Sequence, residues 1–256
     1  MKAVILAGGL GTRLSEETQE KPKPMVEIHG KPILWHILKI LHTQGIKEFI
    51  ICCGYRGYYI KEYFKNYALH NSNVVIHSLS NKIIVENNDS EDWSISCIDT
   101  GQNTQTGGRL REVKKYLGNE DFLFTYGDGV GDINLKNLIN SHKKSKKLVT
   151  VTAVNPPGRF GAMDISQGGK VLNFEEKPTK GNTWINGGYF IINPKAVDLV
   201  KSADMPWEDY PLKTLTKKGQ LNAYKHNGFW QPMDTLREKH FLEDLIKKNQ
   251  APWITW

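Results

Sequence analysis

A glycine-rich segment and two cationic side chains near the start of the chain have the types and spacing that phosphate binding requires. The segment follows the apolar run 2–6, which is typical of a buried strand. Glycines at that point let backbone N–H groups approach phosphate oxygens closely, while Arg13 and Lys23 add positive charge. The alternative is a tight strand-to-helix turn with a surface arginine. The predicted triphosphate contacts are Leu6, Ala7, Gly8, Gly9, Gly11, Thr12, Arg13 and Lys23.

Two familiar phosphate motifs are excluded by the same segment. The dinucleotide-binding fingerprint needs a third glycine at the position of Leu14, and a P-loop needs a Gly-Lys-Ser/Thr sequence that does not follow here. The segment therefore predicts a phosphate cradle of a different kind, placed where the carboxyl end of a parallel strand leaves the sheet.

Two aspartates are candidates for holding a divalent cation beside such phosphates. Asp128 follows the apolar run 121–126, and Asp234 ends the segment 230–234 ahead of a helical pattern. Mg²⁺ is commonly held by one or two carboxylates together with substrate phosphates. Considered alone, Asp128 is better explained as a turn residue beside glycine and Asp234 as a helix N-cap. Only together with the cradle do they predict metal ligands, whereas Asp132 is expected to cap the next helix.

The order Gly-Gly-x-Gly-Thr-Arg-Leu at 8–14, followed by Pro-Lys-Pro at 22–24, resembles the sugar-phosphate nucleotidyltransferases, which make nucleoside-diphosphate sugars. That resemblance implies in-line attack of a sugar phosphate on the α-phosphorus of a nucleoside triphosphate, with pyrophosphate leaving and Mg²⁺ as the cofactor. It also implies that Arg13 neutralises the leaving pyrophosphate and Lys23 the α-phosphate. The positions that match the family's metal-binding aspartates are Asp128 and Asp234.

The resemblance also assigns residues to the sugar phosphate. Lys177, in a Glu-Lys-Pro motif, matches the family's contact to the acceptor phosphate. Asn186 and Gly187 match an Asn-x-Gly segment, and Asn186 together with Glu175 would hydrogen-bond sugar hydroxyls. Apart from the family, a Glu-Lys pair is usually a solvated surface pair, and Asn-Gly is the strongest short signal for a hairpin turn.

Residues 103–110 bear on the choice of base. Family members that use UTP or dTTP have a Pro-x-Gly type of segment there, whereas this chain has Thr104 followed by Gly107-Gly108-Arg109. The difference makes the chain similar to the family's cytidylyltransferases, so transfer of CMP from CTP to glucose 1-phosphate is expected. Cytosine presents an amine where uracil presents a carbonyl, and its site must supply acceptors. Thr104 and the carbonyls of a Gly107-Gly108 turn could do so, while Arg109 could reach the cytosine carbonyl or close over the nucleotide.

Alternating apolar strands and amphipathic helices must position these residues. Strand patterns at 47–53, 73–77 and 121–126 alternate with helix patterns at 31–44 and 57–67. Such alternation is typical of a parallel nucleotide-binding sheet. We therefore expect 73–77 to be the third strand of that sheet.

Two stretches depart from the alternation. Residues 83–85 and 94–98 flank a polar, acidic segment and predict a hairpin, or an excursion that contacts another subunit. After Pro156 the pattern changes to short strands joined by polar turns. They predict an antiparallel layer that receives the second substrate, formed by residues 163–165, 171–175 and 188–192.

The predicted fold class is α/β, with a Rossmann-like, mixed and mostly parallel sheet flanked by helices and a smaller antiparallel sugar-binding layer. One domain is expected for residues 1–256. Its nucleotide-binding half would be residues 1–155, and its sugar-phosphate-binding half, with the C-terminal helices, residues 156–256.

Charge and composition exclude several classes of protein. The net charge of +7 suits nucleic acid or small polyanions equally well. The dense basic run 142–147 ends a helical pattern and has no interleaved aromatic residues, so it is expected to be a solvated helix end. We therefore expect CTP and glucose 1-phosphate, and no nucleic acid, as partners.

Cysteine usage and apolar content bear on location. Three cysteines, Cys52, Cys53 and Cys97, suit unpaired thiols in a reducing compartment better than a disulfide framework. No apolar stretch is long enough for a secretion signal or a membrane span. A cytoplasmic protein without a membrane partner is expected, and the family resemblance implies a homo-oligomer, a hexamer.

Overall fold

The computed structural model describes residues 1–87, 89–156, 162–175 and 183–256. Within them the strands are β1 (Lys2–Ala7), β2 (Glu27–Ile28), β3 (Lys31–Pro32), β4 (Glu48–Cys53), β5 (Asn73–His77), β6 (Lys82–Glu86), β7 (Ser94–Asp99), β8 (Phe122–Tyr126), β9 (Gly129–Gly131), β10 (Val149–Val154), β11 (Ala162–Ile165), β12 (Val171–Glu175), β13 (Ile185–Ile192), β14 (Leu221–His226) and β15 (Trp230–Pro232). The α-helices are α1 (Ser15–Thr18), α2 (Ile33–Thr43), α3 (Gly57–Lys65), α4 (Tyr67–His70), α5 (Thr106–Val113), α6 (Leu135–Ser145), α7 (Tyr210–Lys217) and α8 (Leu236–Lys247). Short 3-10 helices cover Thr12–Leu14, Lys23–Met25, Lys114–Tyr116 and Pro194–Leu199. None of the helices among these residues is both long and apolar enough to cross a membrane.

The described residues build a central seven-stranded sheet with the order β14-β10-β13-β8-β1-β4-β7. Neighbouring strands run parallel, except that β13 is antiparallel to both β8 and β10. The carboxyl ends of β1, β4, β7 and β8 therefore reach the same edge of the sheet. In open α/β sheets that edge is where ligands bind.

Helices cover both faces of this sheet because its central strands are apolar on both sides. In β1, Ile5 packs in one layer of the core with Leu34 and Ile37 of α2. Val4 points to the opposite face and packs with Leu110 of α5. All five side chains are buried, so a change of register in β1 would disturb both layers.

The predicted α/β class is confirmed by this topology. The sheet is mixed, mostly parallel and flanked by helices, and β11 pairs with β12 in a separate, smaller antiparallel layer. Both strands of that layer lie in the segment that joins β10 to β13. The division of the chain into two halves at residue 155 stays a prediction.

The assignment of residues 73–77 to the parallel sheet is wrong. β5 pairs only with β6, in a separate antiparallel hairpin whose residues are exposed. The third parallel strand on this side is β7, which pairs with β4. The expected hairpin of residues 83–85 with 94–98 is wrong for the same reason. A short β-branched run looks alike in an exposed hairpin and in a buried strand, and only burial separates the two.

The assignment of residues 188–192 to the antiparallel layer is also wrong. β13 lies in the central sheet between β8 and β10, and its residues from Gly187 onward are buried. A continuous apolar run is the pattern of a strand that is covered on both faces, whereas the exposed strands β11 and β12 form the outer layer.

Asp132 does not cap the helix that follows it. The N-cap of α6 is Asn134, whose Oδ1 accepts the backbone N–H of Asn137 at 2.9 Å. Asp132 instead lies 3.0 Å from the Nε2 atom of His226. It stands two residues too early in the chain to reach the first turn of the helix.

His36 is a buried histidine of α2 whose charge state is linked to folding. Its Nε2 atom donates to the carbonyl oxygen of Ile28 at 3.1 Å, and its Nδ1 atom is buried without a hydrogen-bond partner among the described residues. Burial lowers the pKa of His36 to about 4, although the bond to Ile28 opposes that effect. The folded protein therefore contains the neutral imidazole at neutral pH.

We expect the free energy of unfolding to decrease as the pH falls below about 6.5, because the unfolded chain then protonates His36 while the folded chain does not. By pH 4.5 this one group contributes a loss of about 2 to 3 kcal/mol. Urea unfolding across this range measures the slope, and His36→Gln, which keeps a donor for Ile28, should flatten it. His77→Gln, at an exposed position, is the matched control and should leave it unchanged. An equal slope in H36Q and wild type would contradict this account.

Candidate active site

The carboxyl ends of four parallel strands are brought side by side by their register. Leu6 of β1 pairs with Tyr126 of β8 and with Cys52 of β4. Cys52 in turn pairs with Ile98 of β7. The segments that follow these strands surround a cavity of about 280 Å³. It is lined by Leu6, Ala7, Gly8, Gly9, Gly11, Thr12, Lys23, Pro24, Thr104, Gln105, Thr106, Arg109, Tyr126, Gly127 and Asp128.

The predicted nucleotide contacts line this cavity apart from Arg13, whose side chain lies outside the described part of the chain, and Gly108. Gly108 is buried in α5, where a Cβ atom would lie 2.2 Å from the carbonyl oxygen of Ala203. Gly107 likewise faces the carbonyl oxygen of Met205, at 2.6 Å. The predicted Gly107-Gly108 turn is therefore wrong, since both glycines lie within a helix that packs closely against the chain.

Arg109 links the ends of three strands behind the glycine cradle. Its side chain is 4% exposed. Its Nη1 and Nη2 atoms donate at 2.7–3.2 Å to the carbonyl oxygens of Gly8, Cys53, Gly101 and Gln102 and to the hydroxyl of Thr100. Burial lowers the pKa of the Arg109 guanidinium, but an arginine side chain stays protonated in proteins. This structural role was not predicted, whereas the predicted contact of Arg109 with a nucleotide stays a prediction.

The absence of a side chain at Gly8 and Gly54 leaves room for the guanidinium of Arg109. A Cβ atom would lie 2.2 Å from Nη1 of Arg109 at Gly8 and 2.5 Å from it at Gly54. At Gly9, no atom of the described part of the chain lies within 4 Å of the Cβ position. The packing of Arg109 therefore requires glycine at position 8 but not at position 9.

A two-stranded ladder brings the two predicted metal ligands together. β9 directly follows Asp128, β15 shortly precedes Asp234, and the two strands pair antiparallel. The N–H of Met233 donates to the carbonyl oxygen of Asp128 at 2.8 Å. The Nζ atom of Lys23 then lies between the carboxylates, 2.7 Å from Asp128 Oδ2 and 2.6 Å from Asp234 Oδ1. Three predicted site residues, far apart in sequence, thus share one contact.

The electrostatics of this group suit a cation beside phosphates. Burial alone would lower the pKa of Lys23, but the charges and hydrogen bonds of Asp128 and Asp234 outweigh it and raise that pKa. One ammonium with two carboxylates leaves a net negative charge. Among the described residues, no cluster of three or more His, Cys, Asp or Glu side chains could hold a metal by itself. The pair fits Mg²⁺, which takes one or two carboxylates and completes its shell with phosphates and water.

The alternative of an N-cap at Asp234 is wrong. The cap of α8 is Thr235, whose Oγ1 accepts the N–H of Glu238 at 3.3 Å. The Glu238 carboxylate accepts the N–H of Thr235 at 3.0 Å and that of Asp234 at 2.7 Å. This capping box satisfies the start of the helix, so the Asp234 carboxylate can face Lys23.

The predicted acceptor contacts are only partly described. Lys177 lies outside the described residues, and Glu175 ends β12 with its side chain outside them. Asn186 and Gly187 lie within β13, so the alternative of a hairpin turn is wrong. The Nδ2 atom of Asn186 donates to the Tyr126 hydroxyl at 3.4 Å, which places Asn186 at the end of β8 beside the cavity. Its role with a sugar stays a prediction.

Several cavity residues were not predicted from the sequence. Tyr126 and Gly127 directly precede Asp128, so their position at a strand end was available as a signal. Thr106 begins α5 with no recognisable capping pattern, and its place on the wall follows only from the fold. The full unpredicted set is Pro24, Gln105, Thr106, Tyr126 and Gly127.

Comparison with known proteins agrees with this arrangement. A model of the family described as nucleotidyl transferase matches residues 2–232. Glucose-1-phosphate cytidylyltransferase of Salmonella typhi is 57% identical, with 100% of both chains covered. The probable glucose-1-phosphate cytidylyltransferase of Bacillus subtilis is 42% identical, also over 100% of both. The chain belongs to the nucleotidyl transferase family.

The nucleotidyl transferase fold extends over nearly the whole chain. The crystal structure of HddC from Yersinia pseudotuberculosis superposes with a TM-score of 0.71, covering 96% of this chain and 99% of that one. The sequences are 24% identical, so this likeness concerns the fold alone. The shared fold therefore extends over nearly the whole length of both chains.

We expect Gly8→Ala to destabilise this nucleotidyl transferase by about 2 kcal/mol or more, because the new Cβ displaces a buried guanidinium and removes its hydrogen bonds to the carbonyl oxygens of Gly101 and Gln102. Gly9→Ala is the matched control and should change stability by less than about 0.5 kcal/mol. Thermal or urea unfolding without nucleotide compares the two variants. Equal stability of G8A and G9A would show that the cradle does not rest on Arg109.

Proposed function

We propose that this nucleotidyl transferase transfers CMP from CTP to glucose 1-phosphate, forming CDP-glucose and pyrophosphate. The observation that supports the reaction class is the meeting of Lys23, Asp128 and Asp234 beside the glycine cradle, with both carboxylates within 2.7 Å of one ammonium. The choice of substrates is supported by the full-length likeness to relatives named glucose-1-phosphate cytidylyltransferases.

The reaction asks the protein to position groups and to neutralise charge. A phosphate oxygen of glucose 1-phosphate attacks the α-phosphorus of CTP, and the bond from that phosphorus to the pyrophosphate oxygen breaks. Backbone N–H groups of the cradle, with its glycines, would bind the triphosphate. Arg13 is assigned to the leaving pyrophosphate and Lys23, the buried cation nearest the carboxylates, to the α-phosphate. No side chain needs to form a covalent intermediate.

Asp128 and Asp234 are the residues that would hold Mg²⁺. When bound, the ion would supply charge neutralisation beside the phosphates. Met233 positions both ligands, because its backbone N–H holds Asp128 and its chain neighbour is Asp234. Lys23 in turn compensates the two carboxylates that would otherwise lie side by side.

The acceptor side of the proposal depends on the chain between β10 and β13. Lys177 is assigned to the phosphate of glucose 1-phosphate, and Glu175 and Asn186 to the hydroxyls of the sugar, with Gly187 beside them. Asn186 supports this side because it contacts the hydroxyl of Tyr126, a residue of the cavity wall. The family resemblance also supports a cytoplasmic homo-oligomer, a hexamer, that supplies nucleotide sugar for surface polysaccharide.

The nucleotide preference is tested by turnover with glucose 1-phosphate and CTP, UTP or dTTP under identical conditions. We expect CTP to give a kcat/KM at least about tenfold above the other two, since a site built for one base edge leaves groups unpaired with another. Equal or better use of UTP would replace the proposal with a uridylyltransferase. No activity with any of the three would reject the reaction class.

Asp234→Asn tests the metal site. We expect kcat/KM to fall by about a hundredfold or more, because an amide is a poor Mg²⁺ ligand, and the Mg²⁺ concentration for half-maximal rate to rise. Stability should change by only about 1 kcal/mol, since Lys23 keeps its contact with Asp128. Asp244→Asn, at an exposed position of α8, is the matched control with the same change of charge. Unchanged turnover in D234N would remove Asp234 from the metal site.

A further inference from the structure

Glu208 bridges two walls of the cavity without lining it. One of its carboxylate oxygens, Oε2, accepts the hydroxyl proton of Thr106 at the start of α5. The other, Oε1, accepts the hydroxyl proton of Tyr126 at the end of β8. Thr106 and Tyr126 both line the cavity. No pattern in the sequence pointed to Glu208.

The loop that presents Glu208 is fixed against α5. Trp207 is fully buried and packs edge-on against Phe124 and Phe190. Its backbone N–H donates to Thr106 Oγ1 at 2.8 Å. The carbonyl oxygen of Met205 accepts the N–H of Gly108 at 3.2 Å. Gly107 and Gly108 of α5 allow the loop to approach this closely, so they contribute to the position of Glu208 behind the cavity wall.

The hydroxyl protons of the wall are assigned by counting donors and acceptors. A hydroxyl has one proton to donate and two lone pairs, whereas an ionised carboxylate only accepts. Thr106 and Tyr126 therefore both donate their hydroxyl protons to the Glu208 carboxylate. Thr106 uses one lone pair for Trp207, and Tyr126 uses one for Asn186 at 3.4 Å. Toward the cavity, the Thr106 hydroxyl has only an acceptor left. The Tyr126 hydroxyl, one of whose lone pairs is delocalised into the ring, is fully used by Glu208 and Asn186 and fixes Glu208 from the other side.

Tyr126 holds Glu208 in place, because its hydroxyl donates to the Glu208 carboxylate. The ring is also held in place, since Gly188, with φ of +78°, leaves room where a Cβ atom would lie 2.7 Å from Cδ2 of Tyr126. The acceptor character of this wall is therefore built into the folded chain.

We infer that Glu208 is a specificity-determining residue, which acts through Thr106 to make the wall accept the exocyclic amine of cytosine and reject the carbonyl of uracil. Cytosine and uracil differ at this edge by a donor against an acceptor. The inference rests on the proposed function, because it presumes that a pyrimidine nucleotide occupies the cavity. Glu208 touches neither substrate and is a positioning residue.

Glu208→Gln tests the inference, because a glutamine amide can accept from one hydroxyl but must donate to the other. With the amide NH2 toward Thr106, the hydroxyl proton of Thr106 points to the cavity and suits uracil. We expect the ratio of kcat/KM for CTP to that for UTP to fall about tenfold, mainly through the KM values. The reason is that the hydroxyl facing the base becomes a donor where it was an acceptor. Asp204→Asn removes the same charge from an exposed position of the same loop and should leave the ratio unchanged.

Two variants of Thr106 separate specificity from folding. Thr106→Val removes the acceptor, so kcat/KM for CTP should fall more than that for UTP. Thr106→Ser keeps the hydroxyl and should restore the ratio. Thermal unfolding of each variant confirms that a folded protein is compared.

The outcomes distinguish this inference from the proposed function. If wild type does not prefer CTP, the proposed function fails. If wild type prefers CTP and E208Q loses activity equally with both nucleotides, Glu208 is only structural and the inference is overturned. If E208Q loses the preference for CTP while Asp204→Asn keeps it, the inference is supported.

Discussion

A buried guanidinium determines whether the cleft keeps its shape. At this edge the carbonyl groups of three strand ends lie together. Arg109 contacts all three at once, since it donates to Gly8 after β1, to Cys53 at the end of β4 and to the chain that follows β7. Gly8 also accepts the N–H of Tyr55, and Cys53 also accepts the N–H of Thr100. A buried carbonyl left without a donor costs about 1–3 kcal/mol. Moving Arg109 would therefore release the cradle and both neighbouring loops together.

The side of the cleft that carries Lys23, Asp128 and Asp234 is built by pairing over long distances in sequence. Asp128 and Asp234 are separated by most of the second half of the chain, yet β9 and β15 hold them on one ladder. Lys23, from a 3-10 helix near the start of the chain, completes the group. The charges balance only when all three segments are folded, so the site and the tertiary structure form together. That dependence explains why the group is absent from any local pattern.

The sequence predicts features that are formed by neighbouring residues of the chain, but it does not predict contacts between residues that are far apart in the chain. The cradle is predictable because its glycines and cations are adjacent and follow a recognisable strand. Asp128 and Asp234 are identified through family resemblance, since each alone fits a turn or a cap. Residues 73–77 were misplaced because an exposed hairpin and a buried strand share the same apolar run. Glu208 was missed because its partners are 102 and 82 residues away and it has no neighbour that marks it.

The position of β13 has a consequence for how such a protein can change. β10 and β13 are neighbours in the sheet, and Val154 at the end of one pairs with Ile185 at the start of the other. Residues 155–184, which include Lys177, therefore connect Val154 to Ile185, and these two residues are already paired with each other in the sheet. Because loop-closure entropy grows slowly with length, this segment can be lengthened or replaced at small cost in folding free energy. The acceptor contacts that we propose for Glu175 and Lys177 can therefore change with this segment, while the strands around the cavity remain unaltered.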